Sequence, residues 1–305
     1  MDGRPSRGQP ASVVHPSGLL CTHLVYRLPV WPILFLSFLG KPLKTSSLWS
    51  LWLPVVAGVV STLVATVSSS AEETGTLKMR FVYDGDPPAP EKIVPNKDVQ
   101  FCGQFDLVDE WLLVDPDNKG IKNAIVYVHP ERGGSKLPKS EPKNEIKLLA
   151  AKNCRFEPRV IIAQTGDTLR ITHPDSIGHN ANLNFFRNSV QSMMIPVGHD
   201  RNYELKEAEP TAIPVDCNIH PWMRAYVVVL EHPFADVSGD DGSITIEGLP
   251  AGEELTFRVY HETGRIDEVS IDGKEESWRR SRFDLDIKPG MNDLGDVIVP
   301  PAAFE

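Results

Sequence analysis

The sequence predicts an all-β protein built as a sandwich of sheets. Short runs alternate between apolar and polar residues, as in 76–83, where Leu77, Met79 and Phe81 share one face and basic residues occupy the other. Denser runs of β-branched residues recur along the chain, and the sequence contains no convincing long amphipathic helix. The 26 Pro and 22 Gly in 305 residues also suit a turn-rich β protein better than a helical one.

Further strands are predicted from the same two patterns. Alternating runs with one apolar face lie at 166–172, 255–260 and 283–287. The dense β-branched runs, which are typical of strands buried on both faces, lie at 124–128, 159–162, 225–230 and 296–299. Helix is expected only as short turns, near 202–209 and 274–281.

The first 71 residues predict export from the cytoplasm. Lys41 and Lys44 precede an apolar run at 48–67, and small residues follow it up to Ala71. A positive region, an apolar region and a small-residue site together form a signal peptide, with cleavage expected after Ala71. The alternative is an uncleaved membrane anchor through 48–67, which is about long enough to span a bilayer. Either reading places the rest of the chain in the periplasm or cell envelope.

The charge balance excludes nucleic acid as a partner. The formal net charge is -10, with 41 acidic and 31 basic residues. Binding to phosphate groups needs a basic face, which this composition does not favour. The sequence also lacks the C-x-x-C-H pattern that would indicate covalently attached haem.

The cysteine count predicts one disulfide and one thiolate. Of four cysteines, Cys21 lies in the targeting region, which leaves an odd number in the exported part. Because cysteines tend to pair in an oxidising compartment, Cys102 and Cys154 are predicted to form a disulfide. Cys217 then remains as a thiolate that a bound metal would protect from oxidation. The alternative is a buried, free Cys217 with no ligand role.

The stretch "CNIHPWM" brings three metal-binding side chains into one short loop. Cys217, His220 and Met223 supply a thiolate, an imidazole and a thioether. The two sulfur ligands suit Cu(I) and imidazole suits Cu(II), so such a set serves a copper ion that changes oxidation state. A second imidazole is needed upstream, and His179 in "IGHNANL" follows a predicted strand. These four residues predict a type 1 copper site.

These motifs resemble those of the cupredoxins, the plastocyanin-like blue-copper proteins. The C-x-x-H-x-x-M spacing with Pro221 after the histidine is most similar to the amicyanin type. The wider pattern, with "CRFEP" upstream and "MRAYVVV" downstream, resembles exported cupredoxin-like proteins of the methylamine-utilisation type. The resemblance implies a Greek-key β-sandwich with one copper, held by His179, Cys217 and His220 in a plane and by Met223 as the axial ligand.

The resemblance also implies roles for two further residues near the copper. Asn180 matches the family residue that braces the ligand loop by hydrogen bonds. Trp222 is a candidate for the apolar docking rim around the metal, where the edge of the second histidine reaches the surface and electrons pass. With this resemblance the chain divides into a targeting region (1–71), a cupredoxin-like copper domain (75–233) and a C-terminal β-rich extension (234–305).

Zinc is the main alternative metal, and Met223 counts against it because zinc rarely takes a thioether. The remaining histidines, His173 and His232 among them, are expected to be structural or surface residues. A copper oxidase or reductase of this superfamily would need a histidine beside the ligand cysteine, whereas Asp216 and Asn218 flank Cys217.

The sequence therefore predicts an electron carrier that exchanges single electrons with redox protein partners, such as a cytochrome or a dehydrogenase. It is not expected to be an enzyme. Two alternatives remain open, a copper-handling module with exchangeable metal and a structural β-sandwich protein of the cell envelope.

Overall fold

A computed structural model describes residues 73–130 and 134–305, and within them the predicted all-β sandwich class is confirmed. One short α-helix, α1 (Val99–Cys102), and a closing 3-10 helix (Pro301–Phe304) accompany the strands. The strands in chain order are β1 (Thr74–Tyr83), β2 (Ile125–Val128), β3 (Ile146–Lys152), β4 (Arg155–Glu157), β5 (Val160–Gln164), β6 (Thr168–Thr172), β7 (His179–Leu183), β8 (Gln191–Ile195), β9 (Arg201–Glu204), β10 (Ile213–Asp216), β11 (Arg224–Leu230), β12 (Ala235–Val237), β13 (Ser243–Pro250), β14 (Glu254–Tyr260), β15 (Glu268–Ile271), β16 (Lys274–Ser277), β17 (Arg282–Asp286) and β18 (Gly290–Val299).

These strands form four sheets. Sheet 1 has the order β13-β1-β18-β15-β16, and sheet 2 has the order β12-β2-β14-β17. Sheet 3 has the order β5-β11-β10-β7-β8, and sheet 4 has the order β4-β3-β6-β9. Three apolar cores hold the sheets together. One core lies between sheets 1 and 2, the next between sheets 2 and 3, and the last between sheets 3 and 4.

Two central strands contribute to two cores each. In β2, Val126 and Val128 lie in the core with sheet 1, while Ile125 and Tyr127 lie in the core with sheet 3. Strand β11 behaves in the same way, with alternate residues packing toward sheet 2 and toward sheet 4. Side chains alternate between faces along a strand, so a strand in an inner layer is apolar throughout. This arrangement explains the dense β-branched runs at 124–128 and 225–230.

The pairing of strands departs from the predicted boundary at residue 233. Sheets 3 and 4 are built only from 146–230, whereas sheets 1 and 2 join 74–83 and 125–128 to strands from 235–299. Strand β1 lies between β13 and β18, antiparallel to the first and parallel to the second. Parallel pairing of distant segments leaves no local sequence pattern. The division into 75–233 and 234–305 stays a prediction.

The predicted helical turns near 202–209 and 274–281 are wrong. The first segment enters strand β9, where Tyr203 is buried between exposed neighbours, and the second forms the exposed edge strand β16. Both segments are rich in Glu and Lys, which favour helix locally, but pairing with β6 and β15 determines their structure.

Within residues 73–130 and 134–305, no helix is both long enough and apolar enough to cross a membrane. The predicted signal peptide, its cleavage after Ala71 and the alternative anchor at 48–67 lie outside the described residues.

Candidate metal centre

The predicted ligands meet where two neighbouring strands of sheet 3 run past each other. His179 is the first residue of β7, and Cys217 directly follows β10. The two strands are antiparallel, with Asp216 opposite Asn182, so the chain leaves β10 alongside the beginning of β7. The loop that carries Cys217, His220 and Met223 is therefore placed beside His179, although 38 residues of sequence separate Asn218 from Asn180.

Three donor atoms converge on one buried point. One ligating atom from each of His179, Cys217 and His220 lies within 4.8 Å of the others. The Nδ1 atoms of the two imidazoles are 3.0 Å apart, and Cys217 Sγ is 3.7 Å from His220 Nδ1. Both histidines are fully buried and Cys217 is 1% exposed. This set of two imidazole nitrogens and one thiolate sulfur matches the soft-metal donors that were predicted.

The backbone of the ligand loop is closed on itself. The amide of Met223 donates to the His220 carbonyl at 2.9 Å, and the amide of Cys217 donates to the Met223 carbonyl at 3.1 Å. Met223 is 1% exposed and packs in the same apolar core as Cys217, between sheets 3 and 4. The thioether-bearing residue is thus held inside the molecule next to the thiolate, and its role as axial ligand stays a prediction.

Asn180 connects β7 to the ligand loop. Its side-chain oxygen accepts a hydrogen bond from the backbone amide of Asn218 at 2.8 Å and lies 3.6 Å from Cys217 Sγ. Its side-chain nitrogen donates to Ser192 Oγ on β8 at 3.3 Å. These contacts tie the loop to β7 and β8 through Asn180, and the bracing role of this residue toward a bound metal stays a prediction.

Each imidazole donates a hydrogen bond to a carboxylate through Nε2, the ring nitrogen that points away from the cluster. His179 Nε2 lies 2.9 Å from Asp175 Oδ2, and His220 Nε2 lies 2.9 Å from Asp98 Oδ2. A carboxylate on one ring nitrogen fixes the ring orientation and the tautomer, so that the other nitrogen is free to bind a metal. In both rings the inner nitrogen is Nδ1, which is the atom that faces the cluster.

The electrostatics of the cluster favour a thiolate. Burial alone raises the pKa of the Cys217 thiol, but hydrogen bonds from His179 and His220 and from nearby backbone amides lower the pKa to about 5. Burial lowers the pKa of His179, but hydrogen bonds to Asp175 and Cys217 outweigh it, and the net pKa is raised. The cluster therefore holds the sulfur in its metal-binding form at neutral pH.

The predicted disulfide is present and lies beside the cluster. Cys102 at the end of α1 is bonded to Cys154, and Cys217 is the one free cysteine within the described residues. Trp222 is half-buried; its indole nitrogen donates to the Cys154 carbonyl at 3.0 Å, and its ring centroid lies 5.2 Å from that of His220. The Trp222 side chain thus connects the ligand loop to the disulfide. Its part in a docking rim stays a prediction.

The sequence reasoning missed both carboxylates. Asp175 stands four residues before His179, a spacing that a search for residues flanking the ligands could have found. Asp98 is 122 positions from His220 and carries no local signal. His173, read as structural or surface, is buried with its Nδ1 2.6 Å from the Ile195 carbonyl and its ring 4.8 Å from that of His179.

Comparison with solved structures finds copper proteins over parts of the chain. A mutant of amicyanin with Cu(I) matches 27% of this chain and 79% of its own, at 19% identity and a TM-score of 0.24. The oxidized state of another amicyanin mutant matches 29% and 85%, at 20% identity and a TM-score of 0.26. The copper-containing nitrite reductase from Thermus scotoductus SA-01 matches 33% and 25%, at 17% identity and a TM-score of 0.25.

No protein-family model matches the chain, and no curated protein matches it. At these identities and TM-scores the likeness to solved structures does not define a family. The function is therefore judged from the side chains of the cluster.

Proposed function

We propose that this chain is an exported type 1 copper protein that transfers single electrons between redox partners. Cys217, His179 and His220 would hold the copper, and Met223 would add a weaker thioether ligand. The observation that carries the proposal is the convergence of three buried donors, one of them a thiolate, on one point. Bound copper would supply a one-electron couple, Cu(II) to Cu(I), without any bond being made or broken in a substrate.

The residues of the chain do the remaining work. The carboxylates of Asp98 and Asp175 orient the two imidazoles, and Asn180 holds the ligand loop against β7. The apolar core between sheets 3 and 4 excludes water from the sulfur atoms. A rigid, preformed ligand set needs little rearrangement when an electron is gained or lost, which suits a carrier.

Two further features support a carrier over an enzyme and export over a cytoplasmic location. Asp216 and Asn218 flank Cys217, so no histidine adjoins the thiolate to connect it with a second metal at a substrate site. The Cys102–Cys154 disulfide is typical of proteins outside the reducing cytoplasm. The partner would be a redox protein such as a cytochrome or a dehydrogenase.

Titration of the purified protein with Cu(II) tests this proposal. The carrier predicts one copper per chain, an intense visible absorption from thiolate-to-copper charge transfer, and reversible loss of the colour on reduction with ascorbate. Cys217→Ser should abolish the absorption. Met223→Gln should retain copper and lower the reduction potential, whereas Met194→Gln, a change at a methionine that is 59% exposed, should leave the potential unchanged.

Other results would favour the alternative functions. Colourless copper that chelators remove readily would indicate a copper-handling module. An absence of copper binding would indicate a structural protein of the cell envelope. Persistence of the colour in Cys217→Ser would show that the ligand assignment is wrong.

A further inference from the structure

The outer edge of the His220 imidazole is covered by an acidic side chain. The ring is fully buried, and its Nε2 donates to the Asp98 carboxylate at 2.9 Å. The Asp98 side chain itself is 41% exposed. Asp98 therefore separates the outer edge of this imidazole from solvent, and it comes from a part of the chain far from the ligand loop.

The position of Asp98 is fixed by its own short helix. Its backbone is in the left-handed conformation, with φ 45°, which costs energy for a residue other than glycine and is kept only where the surroundings require it. Its carbonyl accepts hydrogen bonds from the amides of Phe101 and Cys102, both at 2.9 Å. Cys102 is in turn bonded to Cys154. The carboxylate over His220 is thus tied through α1 to the disulfide.

The other end of the disulfide holds the carboxylate of the second histidine. The backbone amides of Asn153 and Cys154 donate to Asp175 at 2.7 and 2.9 Å, and Asp175 accepts from His179 Nε2. A single covalent bridge, Cys102–Cys154, therefore connects the groups that orient both imidazoles. It also lies under Trp222, whose indole donates to the Cys154 carbonyl.

We infer that Asp98 is a positioning residue that closes the metal site over His220, and that the disulfide holds it there. By accepting the Nε2 proton it keeps Nδ1 of His220 available for the metal and slows exchange of the metal with solvent or chelators. This inference rests on the proposed function for its metal, while the covering of His220 by Asp98 can be tested without metal.

The first test uses metal-free protein. The exchange of the His220 Nε2 proton with water is measured by NMR in wild type, Asp98→Ala and Asp98→Asn. We call the cover that Asp98 forms over His220 the cap. With the cap in place, the Nε2 proton of wild type should exchange slowly and give a visible signal. The signal should disappear by fast exchange in Asp98→Ala and be partly restored in Asp98→Asn, because an amide oxygen still accepts a hydrogen bond. Equal exchange rates in all three proteins would overturn the inference.

The second test measures release of Cu(I) to excess bicinchoninate. Removing the carboxylate partner of a metal-binding histidine typically weakens metal affinity about 10- to 100-fold. Asp98→Ala is therefore expected to release copper about 10- to 100-fold faster than wild type if the loss of affinity lies in the release rate. The matched control is Asp106→Ala, in an exposed ion pair of the same segment, which should leave the rate unchanged. A rate for Asp98→Ala within twofold of wild type would refute a role in metal retention.

The disulfide is tested with the double variant Cys102→Ser, Cys154→Ser. It should release copper faster than wild type, and adding Asp98→Ala should accelerate release little further, because both changes undo the same restraint. Fully additive effects would separate the disulfide from the cap and contradict the inference. If the wild-type protein bound no copper but Asp98 still protected the His220 proton from exchange, the proposed function would be refuted. The covering of His220 by Asp98 would stand.

Discussion

The ionisation of Cys217 provides a direct measure of how the cluster is built. A pKa of about 5 for Cys217, against about 8.5 for an ordinary thiol, corresponds to about 5 kcal/mol in favour of the thiolate. Burial opposes this ionisation, so the hydrogen bonds from the two imidazoles must more than offset it. Replacing His179 by Ala removes one of the two imidazole hydrogen bonds and leaves the burial, so roughly half of this preference, about 2 to 3 kcal/mol, should be lost and the pKa of Cys217 should rise.

The assay is the ultraviolet absorbance of the thiolate in metal-free protein, recorded against pH, with the Cys217→Ser variant subtracted. The wild-type midpoint is expected near pH 5, and the midpoint of His179→Ala should lie at a higher pH by about 2. His173→Ala is the matched control, because His173 is also buried and lies against His179, but it does not contact Cys217. An ordinary midpoint near 8.5 in wild type, or no change in His179→Ala, would refute the reasoning.

Two further predictions concern stability. Glu262 and Arg159 form an ion pair at 2.8 Å in which both side chains are 9% exposed. Glu262→Gln leaves Arg159 without its partner charge and should lower the free energy of unfolding, measured with urea, by about 3 kcal/mol. The control Asp106→Asn changes an exposed ion pair and should lower it by less than about 1 kcal/mol. Burial lowers the pKa of His232 and of His261 to about 4; the unfolded chain therefore binds more protons between about pH 6.5 and 4, and stability should fall as pH falls through that window. Replacing both histidines by Gln should flatten that loss, and an unchanged slope would contradict it.

The ligand loop was predictable because its chemistry is local. Cys217, His220 and Met223 lie within seven residues, and this spacing predicts a soft-metal site when it is combined with the upstream His179 and Asn180 and the odd cysteine count. His179 was included because it lies upstream of the loop, shortly after a predicted strand. The free state of Cys217 followed from the odd cysteine count, and the Cys102–Cys154 disulfide is confirmed.

The rest could not be predicted because it depends on long-range packing. Asp98 lies against His220 although 122 positions separate them, and nothing around Asp98 in the sequence distinguishes it from other acidic residues. The same holds for β1 and β18, whose parallel pairing joins the two ends of the described chain. Local composition was misleading at β9 and β16, where charged residues favour helix but neighbouring strands impose extended structure.

Sheets 3 and 4 come from one continuous middle segment of the chain, whereas sheets 1 and 2 combine strands from before and after it. This arrangement implies an order in which the sheets can assemble. Strand β1 is synthesised first, yet its two partners, β13 and β18, begin at Ser243 and Gly290. Segment 146–230 contains every strand of sheets 3 and 4 and can form their shared core earlier. Until the last strands emerge, the apolar face of β1 and the face of β2 that carries Val126 and Val128 lack most of their cover. A chain cut at residue 233 would keep every proposed copper ligand but leave these apolar faces exposed, and it is expected to aggregate.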